Sequence, residues 1–348
     1  MLFSQKNVVY YIFAISLVAV ASYVATKFKS PFDENKDEYE LIKKYLLNES
    51  PLDGYGKPKI WIHSKFEYNS RIWEGFHERS SYNLNQPYIH LTIKSIIDHC
   101  GDDFHVCLID DDTFSKLIPS WDIDLSRVAE PMKSYIRNIG LAEIVYYYGG
   151  MVVPNSFLCF SSLANMYLQA TSNDRPFVCE SVNRNVNLAK QGDRRLAFLP
   201  SLYFMGANKH DPVILDLVKY MKTEVQKPHF SGDKDFLGEI EYWCLDKIDQ
   251  GVMNLVGGEV VGVKTSKKKP VLLENLMEEE YLQMSGESLG IYIPEDDILS
   301  RTKYQWFAIM STRDILESNT ILSKYMKIAM ISGSKQHLPN HVRRAISI

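Results

Sequence analysis

The run from Ser134 to Cys159, SYIRNIGLAEIVYYYGGMVVPNSFLC, constrains the fold of this chain more than any other stretch. Ile136, Leu141, Ile144, Val145 and Tyr148 recur at helical intervals and predict one apolar face. Gly140 sits by that face, where a missing side chain permits close backbone approach. Gly149 is placed to end the helix in a left-handed cap, a conformation that costs glycine little. Met151-Val152-Val153 is then continuous and apolar, as expected of a strand covered on both faces. Pro154 stops the ladder because it has no N–H to donate. In open α/β sheets ligands gather at the carboxyl ends of buried strands, so Asn155 and Ser156 stand where a site is expected.

The rest of the chain repeats this alternation. KIWIH at 59–63 reads as a first buried strand. Pro87 opens a helix that runs to about His99, with Ile89, Ile93, Ile96 and Ile97 inward. HVCLI at 105–109 is a second strand, followed by Asp110-Asp111-Asp112 and a helix from about Thr113 with an aspartate cap. Phe177–Ser181 and Leu202–Met205 read as strands. Pro212 begins a helix with the stripe Ile214, Leu215, Val218 and Met221, and Phe236–Asp249 is a further helix with Trp243 inward. Beyond them, Val260–Val263 and Gly290–Ile293 read as strands and Leu272–Met284 as a helix. A last helix, Ile321–Ile331, is capped by Asn319. Strand and helix in turn predict an α/β fold with a mainly parallel sheet and flanking helices.

Helix, YYYGG, apolar strand and break resemble the core of GT-A-type glycosyltransferases of the capsular-polysaccharide and initiating-mannosyltransferase kind. KIWIH resembles that group's strand opening PKIIH, and LYFMGANKHDPVILDLVKYM resembles a later strand-to-helix passage of it. The resemblance implies a GT-A-like, Rossmann-like sheet and a nucleotide-sugar pocket at its strand ends. It makes His63, Asn138, Gly149, Gly150, Asn155 and Ser156 donor-pocket candidates, and Gly206 and Asn208 acceptor-pocket candidates, with Ala207 between them. In the family an Asp-x-Asp after the glycine strand holds a divalent metal; here those positions are Pro154 and Ser156. The family's helical Asp and Arg become Asn138 and Leu141. LNQPYIHLTIKSI and YYYGGMVVPNSF also resemble uncharacterised membrane-anchored proteins of large algal DNA viruses.

With that metal motif altered, the diphosphate needs another partner. Arg71 and Arg137 are the candidates, since a guanidinium grips phosphate without metal. Arg79 lies in the same polar loop as Arg71, and Arg184, Arg194 and Arg195 lie in another. The alternative is Mn²⁺ or Mg²⁺ at Asp110 and Asp112, an Asp-x-Asp at the end of an apolar strand. Asp122–Asp124 and Asp233–Asp235 share the spacing but follow no such strand.

Val8–Thr26 carries no charge over 19 residues, about the length needed to cross a bilayer. It is expected to be an N-terminal single-pass anchor, with a signal peptide cleaved near Ala19-Val20-Ala21 as its rival. Lysines on both sides leave its orientation and compartment open. The organisation expected is a tail and anchor over 1–28, a stem over 29–56, a GT-A-like domain over 57–250 and a packed extension over 251–348. Asn48-Glu49-Ser50 in the stem is a glycosylation sequon, usable only on a lumenal side. A net charge of −4 removes nucleic acid from the expected partners. Five cysteines without metal spacing read as buried thiols. Walker, GxSxG and HExxH patterns are missing from the sequence. The expected function is sugar transfer from a nucleotide-sugar to a glycan by a membrane-anchored glycosyltransferase-like protein. The alternative is a non-catalytic relative that binds glycan or a protein partner.

Overall fold

The short apolar runs at 59–63 and 105–109 form strands β1 (Lys59–His63) and β2 (His105–Ile109), paired in parallel. They belong to a computed structural model that describes residues 56–64, 86–119, 121–183, 196–227, 233–280 and 282–336. Between the two strands runs helix α1 (Tyr88–Cys100), and after β2 comes the short α2 (Thr113–Leu117). Helix α3 (Met132–Tyr148) leads through the glycine pair into β3 (Gly150–Val152), which pairs with β1 in parallel. Then follow β4 (Phe157–Cys159), α4 (Ala164–Ala170), β5 (Phe177–Val182) and β6 (Phe198–Ala207). Helices α5 (Pro212–Val225) and α6 (Asp233–Asp249) precede β7 (Asn254–Val256). The chain continues through α7 (Leu273–Met277), β8 (Gly290–Tyr292), α8 (Glu295–Ser300) and α9 (Gln305–Ala308). It closes with α10 (Thr312–Glu317) and α11 (Ile321–Gln336).

The main sheet has six strands in the order β2-β1-β3-β6-β5-β7, and β4 and β8 form a second, two-stranded sheet. β1, β2 and β3 run together; β6 is reversed against both β3 and β5; β7 is parallel to β5. The sheet is therefore mainly parallel, with one antiparallel member. Strand periodicity divides its side chains between two cores. Trp61 and Val152 point to one face, where α3, α5 and α6 bring Ile144, Val145, Leu217, Met221 and Phe236. Ile60, Ile62, Met151 and Val153 point to the other, where α1 and α4 bring Ile93, Ile96, Met166 and Tyr167. A third core joins α1 to the C-terminal helices through Tyr88, Leu91, Ile291, Phe307 and Leu322.

Several elements differ from the sequence expectation for physical reasons. Helix α3 is not one-faced. Packed against α5, α6 and β6, it buries Arg137, Asn138 and Glu143 as well as Ile144 and Val145, while Ile136, Leu141 and Tyr148 are only half-buried. The space at Gly140 is taken by the rings of Phe114 and Trp121, not by a backbone. Gly149 has φ +67 but ψ −166, an extended mirror conformation rather than a left-handed cap. On α5, Leu217 takes the buried place expected of Leu215. Trp243, by contrast, packs inward against the first core as expected, half-buried and stacked on Tyr220. Val260–Val263 is a series of turns around Gly262 (φ +71), and among the described residues of Leu272–Met284 only the short α7 is helical. Thr320 Oγ1, not Asn319, accepts from an amide of the last helix, that of Ser323. All five cysteines are buried and unbridged.

Val8–Thr26, the stem up to Tyr55 and the sequon at Asn48 lie outside the described residues, as do Arg71, Arg79, Arg184, Arg194 and Arg195. Among the described residues no helix is long and apolar enough to cross a membrane. Residues beyond 250 complete both sheets: β7 pairs with β5, and β8 with β4.

Candidate functional site

β1, β2 and β3 all deliver their carboxyl ends to one rim of the sheet. A cavity of about 190 Å³ opens there. His63 enters from the end of β1, and Val152 to Ser156 from β3 and the turn after it. Ser134, Arg137, Asn138 and Leu141 come from the first half of α3. Tyr203 reaches in from β6, Tyr292 from β8, and Glu295 and Asp296 from the first turn of α8. The cleft thus lies between the sheet rim, one helix and the second sheet.

The turn after β3 is fixed by its backbone. Phe157 N donates to the Pro154 carbonyl, and Ile293 N donates to that of Ser156. Thr92 Oγ1 of α1 donates to the Asn155 carbonyl at 2.5 Å. Asn155 and Ser156 are buried and still line the cavity. The turn after β3 thus lies beside the cleft at the carboxyl end of a strand, with Asn155 and Ser156 largely covered.

The charged group at the rim is built around Asp111. Its carboxylate accepts two hydrogen bonds from Arg137, from Nε at 2.8 Å and from Nη2 at 2.6 Å. His63 Nε2 lies 3.0 Å from the same carboxylate. Arg137 Nη1 donates to Glu130 at 3.2 Å. Burial works to raise the Asp111 pKa, but the hydrogen bonds of His63 and Arg137 outweigh it and hold the carboxyl well below the usual range. The His63 ring stacks on Phe114, with centroids 5.5 Å apart and planes 14° apart.

Of the donor-pocket candidates, His63, Arg137, Asn138, Asn155 and Ser156 come together here. Gly149 and Gly150 do not. They stand at the amino end of β3, where Gly150 packs on the Lys59 backbone. Gly206 and Asn208, the acceptor-pocket candidates, lie at that same far rim. β6 runs opposite to β3, so Gly206 pairs with Met151, and Asn208 is exposed and bonded to Asp174. Tyr203, three residues before Gly206 in the middle of the strand, is the residue β6 gives to the cleft. Asp111, Tyr203, Glu295 and Asp296 were missed. Asp111 sat between the two aspartates that spacing singled out, and the others needed strand direction and the second sheet to be known.

Among the described residues, those at the positions the resemblance assigns do not fit the carboxylate-held divalent cation that it implies. Pro154 has no donor side chain, and Ser156 offers a neutral hydroxyl. Asp110 is engaged by the amide and hydroxyl of Thr113, and Asp112 is exposed. Among the described residues no three His, Cys, Asp or Glu side chains converge as metal ligands. Arg137, for its part, has its guanidinium fork engaged by Asp111 and a further N–H by Glu130.

No protein-family model matches the chain, and no curated protein matches it. Among solved structures, the chain is similar to the PaToxG glycosyltransferase at 14% identity. That match covers 64% of this chain and 82% of the other, with a TM-score of 0.31. It is also similar to the galactosyltransferase LgtC in complex with donor and acceptor sugar analogues, at 9% identity. Here 82% of this chain and 99% of the other are covered, with a TM-score of 0.36. Both similar structures are glycosyltransferases by name; at these scores the likeness adds nothing to the reading of the cleft.

Proposed function

We propose that the protein transfers a sugar from a nucleotide-sugar donor to a glycan acceptor, with the donor's sugar bound in the cleft at the β1–β3 rim. The observation that supports this most is the joint lining of that cleft. The turn after the glycine-pair strand supplies Asn155 and Ser156, α3 supplies Asn138, and α8 supplies Glu295 and Asp296. Amides, hydroxyls and carboxylates are hydrogen-bonding groups suited to a polyhydroxylated ring. At about 190 Å³ the cavity suits one sugar-sized group, below the roughly 300–1,000 Å³ usual for a whole ligand site. The chain is held at a membrane by Val8–Thr26 in this reading.

A second reading, sugar binding without transfer, is favoured by one observation. Arg137, the cation lining the cleft among the described residues, is already held by two carboxylates, so within those residues a diphosphate leaving group meets no uncommitted guanidinium there. The two readings part in one assay. The full chain is incubated with a panel of nucleotide-sugars, with and without Mn²⁺, and both the melting temperature and the release of nucleoside diphosphate are followed. Diphosphate release with any donor supports transfer. A rise in melting temperature with free sugars or donors, without release, supports binding alone. No response to any sugar or donor sinks both.

A further inference from the structure

Asp111 joins two groups of the cleft, and its chemistry decides what one of them can do. A carboxylate accepts hydrogen bonds and does not donate them. Two charge-assisted hydrogen bonds from Arg137 hold this one ionised. The 3.0 Å contact from His63 therefore carries its hydrogen on Nε2. In the neutral ring the lone pair is then on Nδ1. Phe114 fixes the ring plane by stacking, and two hydrogen bonds from Arg137 fix the carboxylate that fixes the ring.

We propose that Asp111 is a positioning residue that sets the tautomer of His63, and that His63 is the proton-accepting group of the cleft. For its substrate this rests on the sugar-transfer reading; for the tautomer it does not. The acceptor hydroxyl oxygen forms a bond to the anomeric carbon of the donor sugar. The bond from that carbon to the phosphate oxygen breaks, and its electron pair leaves with the diphosphate. The hydroxyl proton passes to His63 Nδ1, which exchanges any resident partner for the hydroxyl as the ligand enters. The imidazolium that results faces the Asp111 carboxylate, which stabilises it without taking the proton. Among the described residues, the charged and titratable groups around His63 include Asp111 after β2, Arg137 of α3 and Glu130 before it, and Tyr203 of β6, Tyr292 of β8, and Glu295 and Asp296 of α8 in the same cleft. Phe114 of α2 is the neutral neighbour.

The first test is ¹⁵N NMR on the ligand-free full chain with labelled histidine, the His63 signals being assigned by their loss in His63→Gln. The Nε2–H tautomer is expected, with a shift toward Nδ1–H in Asp111→Asn. An Nδ1–H tautomer in the parent protein, or one unmoved by Asp111→Asn, overturns the positioning role. The second test is the pH–rate profile of transfer. His63→Gln, which can still donate to Asp111, is expected to lower kcat about 100-fold or more with little change in KM, and to erase the acid limb. An unchanged acid limb overturns the role of His63. If no donor is turned over, the transfer reading and the proton-accepting role fall together, while the NMR result still decides what Asp111 does. Should Asp111→Asn fail to fold, the tautomer in the parent chain and the His63→Gln profile remain decisive.

Discussion

The indole Nε1 of Trp61 donates to the carbonyl of Gly149 at 2.9 Å, from the middle of β1 to the turn that starts β3. Both groups are buried. The bond holds the entry of β3 against β1 and so sets where the strand emerges at the cleft. Trp61→Phe leaves the Gly149 carbonyl without this donor. A loss of about 1–3 kcal/mol in stability is expected from the unpaired carbonyl, with a further loss from the smaller ring. Urea unfolding measures it; an unchanged midpoint would remove the bond from the account.

Gly150 tolerates no side chain. Its φ is +88, and a Cβ there would run into the Lys59 carbonyl oxygen of the neighbouring strand. Gly150→Ala is expected to cost more than about 3 kcal/mol or to prevent folding. Gly251 has a similar φ of +71 but open space around it. Gly251→Ala should therefore cost only the backbone strain, about 1–2 kcal/mol. Thermal melts of the pair separate collision from strain, and equal losses would contradict the packing described.

Asp111 makes stability depend on pH in a definite sense. Its carboxyl is held below its unfolded value, which is about 3.9. The unfolded chain thus binds the proton more readily, and the contribution is complete above about pH 4. It is lost as pH falls through the lower, folded value. Asp111→Asn should be less stable than the parent at neutral pH and should lose less on acidification. Parallel stability curves for the two proteins between neutral pH and pH 2 would contradict this.

His90 acts in the same pH direction through the opposite charge. It is buried on α1, and desolvation first, then the nearby Lys94, lowers its pKa from 6.5 to about 4. The folded state keeps the ring neutral where the unfolded chain would protonate it. Stability should therefore fall as pH drops from about 6.5 to about 4, by on the order of 3 kcal/mol. His90→Gln should remove that slope. Chemical denaturation at pH 7, 5.5 and 4.5 tests it, and a slope retained in the variant rules His90 out as its source.

The sequence showed the local elements more clearly than their directions. KIWIH and HVCLI are the strands their composition announces, because short apolar runs between turn residues leave few alternatives. Pro212 with Asp211 before it marks a helix start at the right residue. Strand direction is another matter: nothing local distinguishes a parallel from a reversed LYFMGA, since both bury the same side chains. Gly206 and Asn208 were therefore expected at the wrong rim, and Tyr203 was not anticipated. Arg137 and Asp111 were each visible as charges, but their pairing spans 26 residues and depends on α3 crossing the end of β2. Glu295 and Asp296 were illegible because only the pairing of β8 with β4 carries them to the cleft.

That pairing of β8 with β4 also sets a minimum length for any working fragment. The turn after β3 is stitched by the amide of Ile293, and one wall of the cleft comes from residues 292–296. A chain stopped short of Gly290 would keep the whole helix–glycine–strand signature and still present a half-open trough. In synthesis, ligand competence would arrive late, after nearly 300 residues had emerged, however early the parallel strands had found one another.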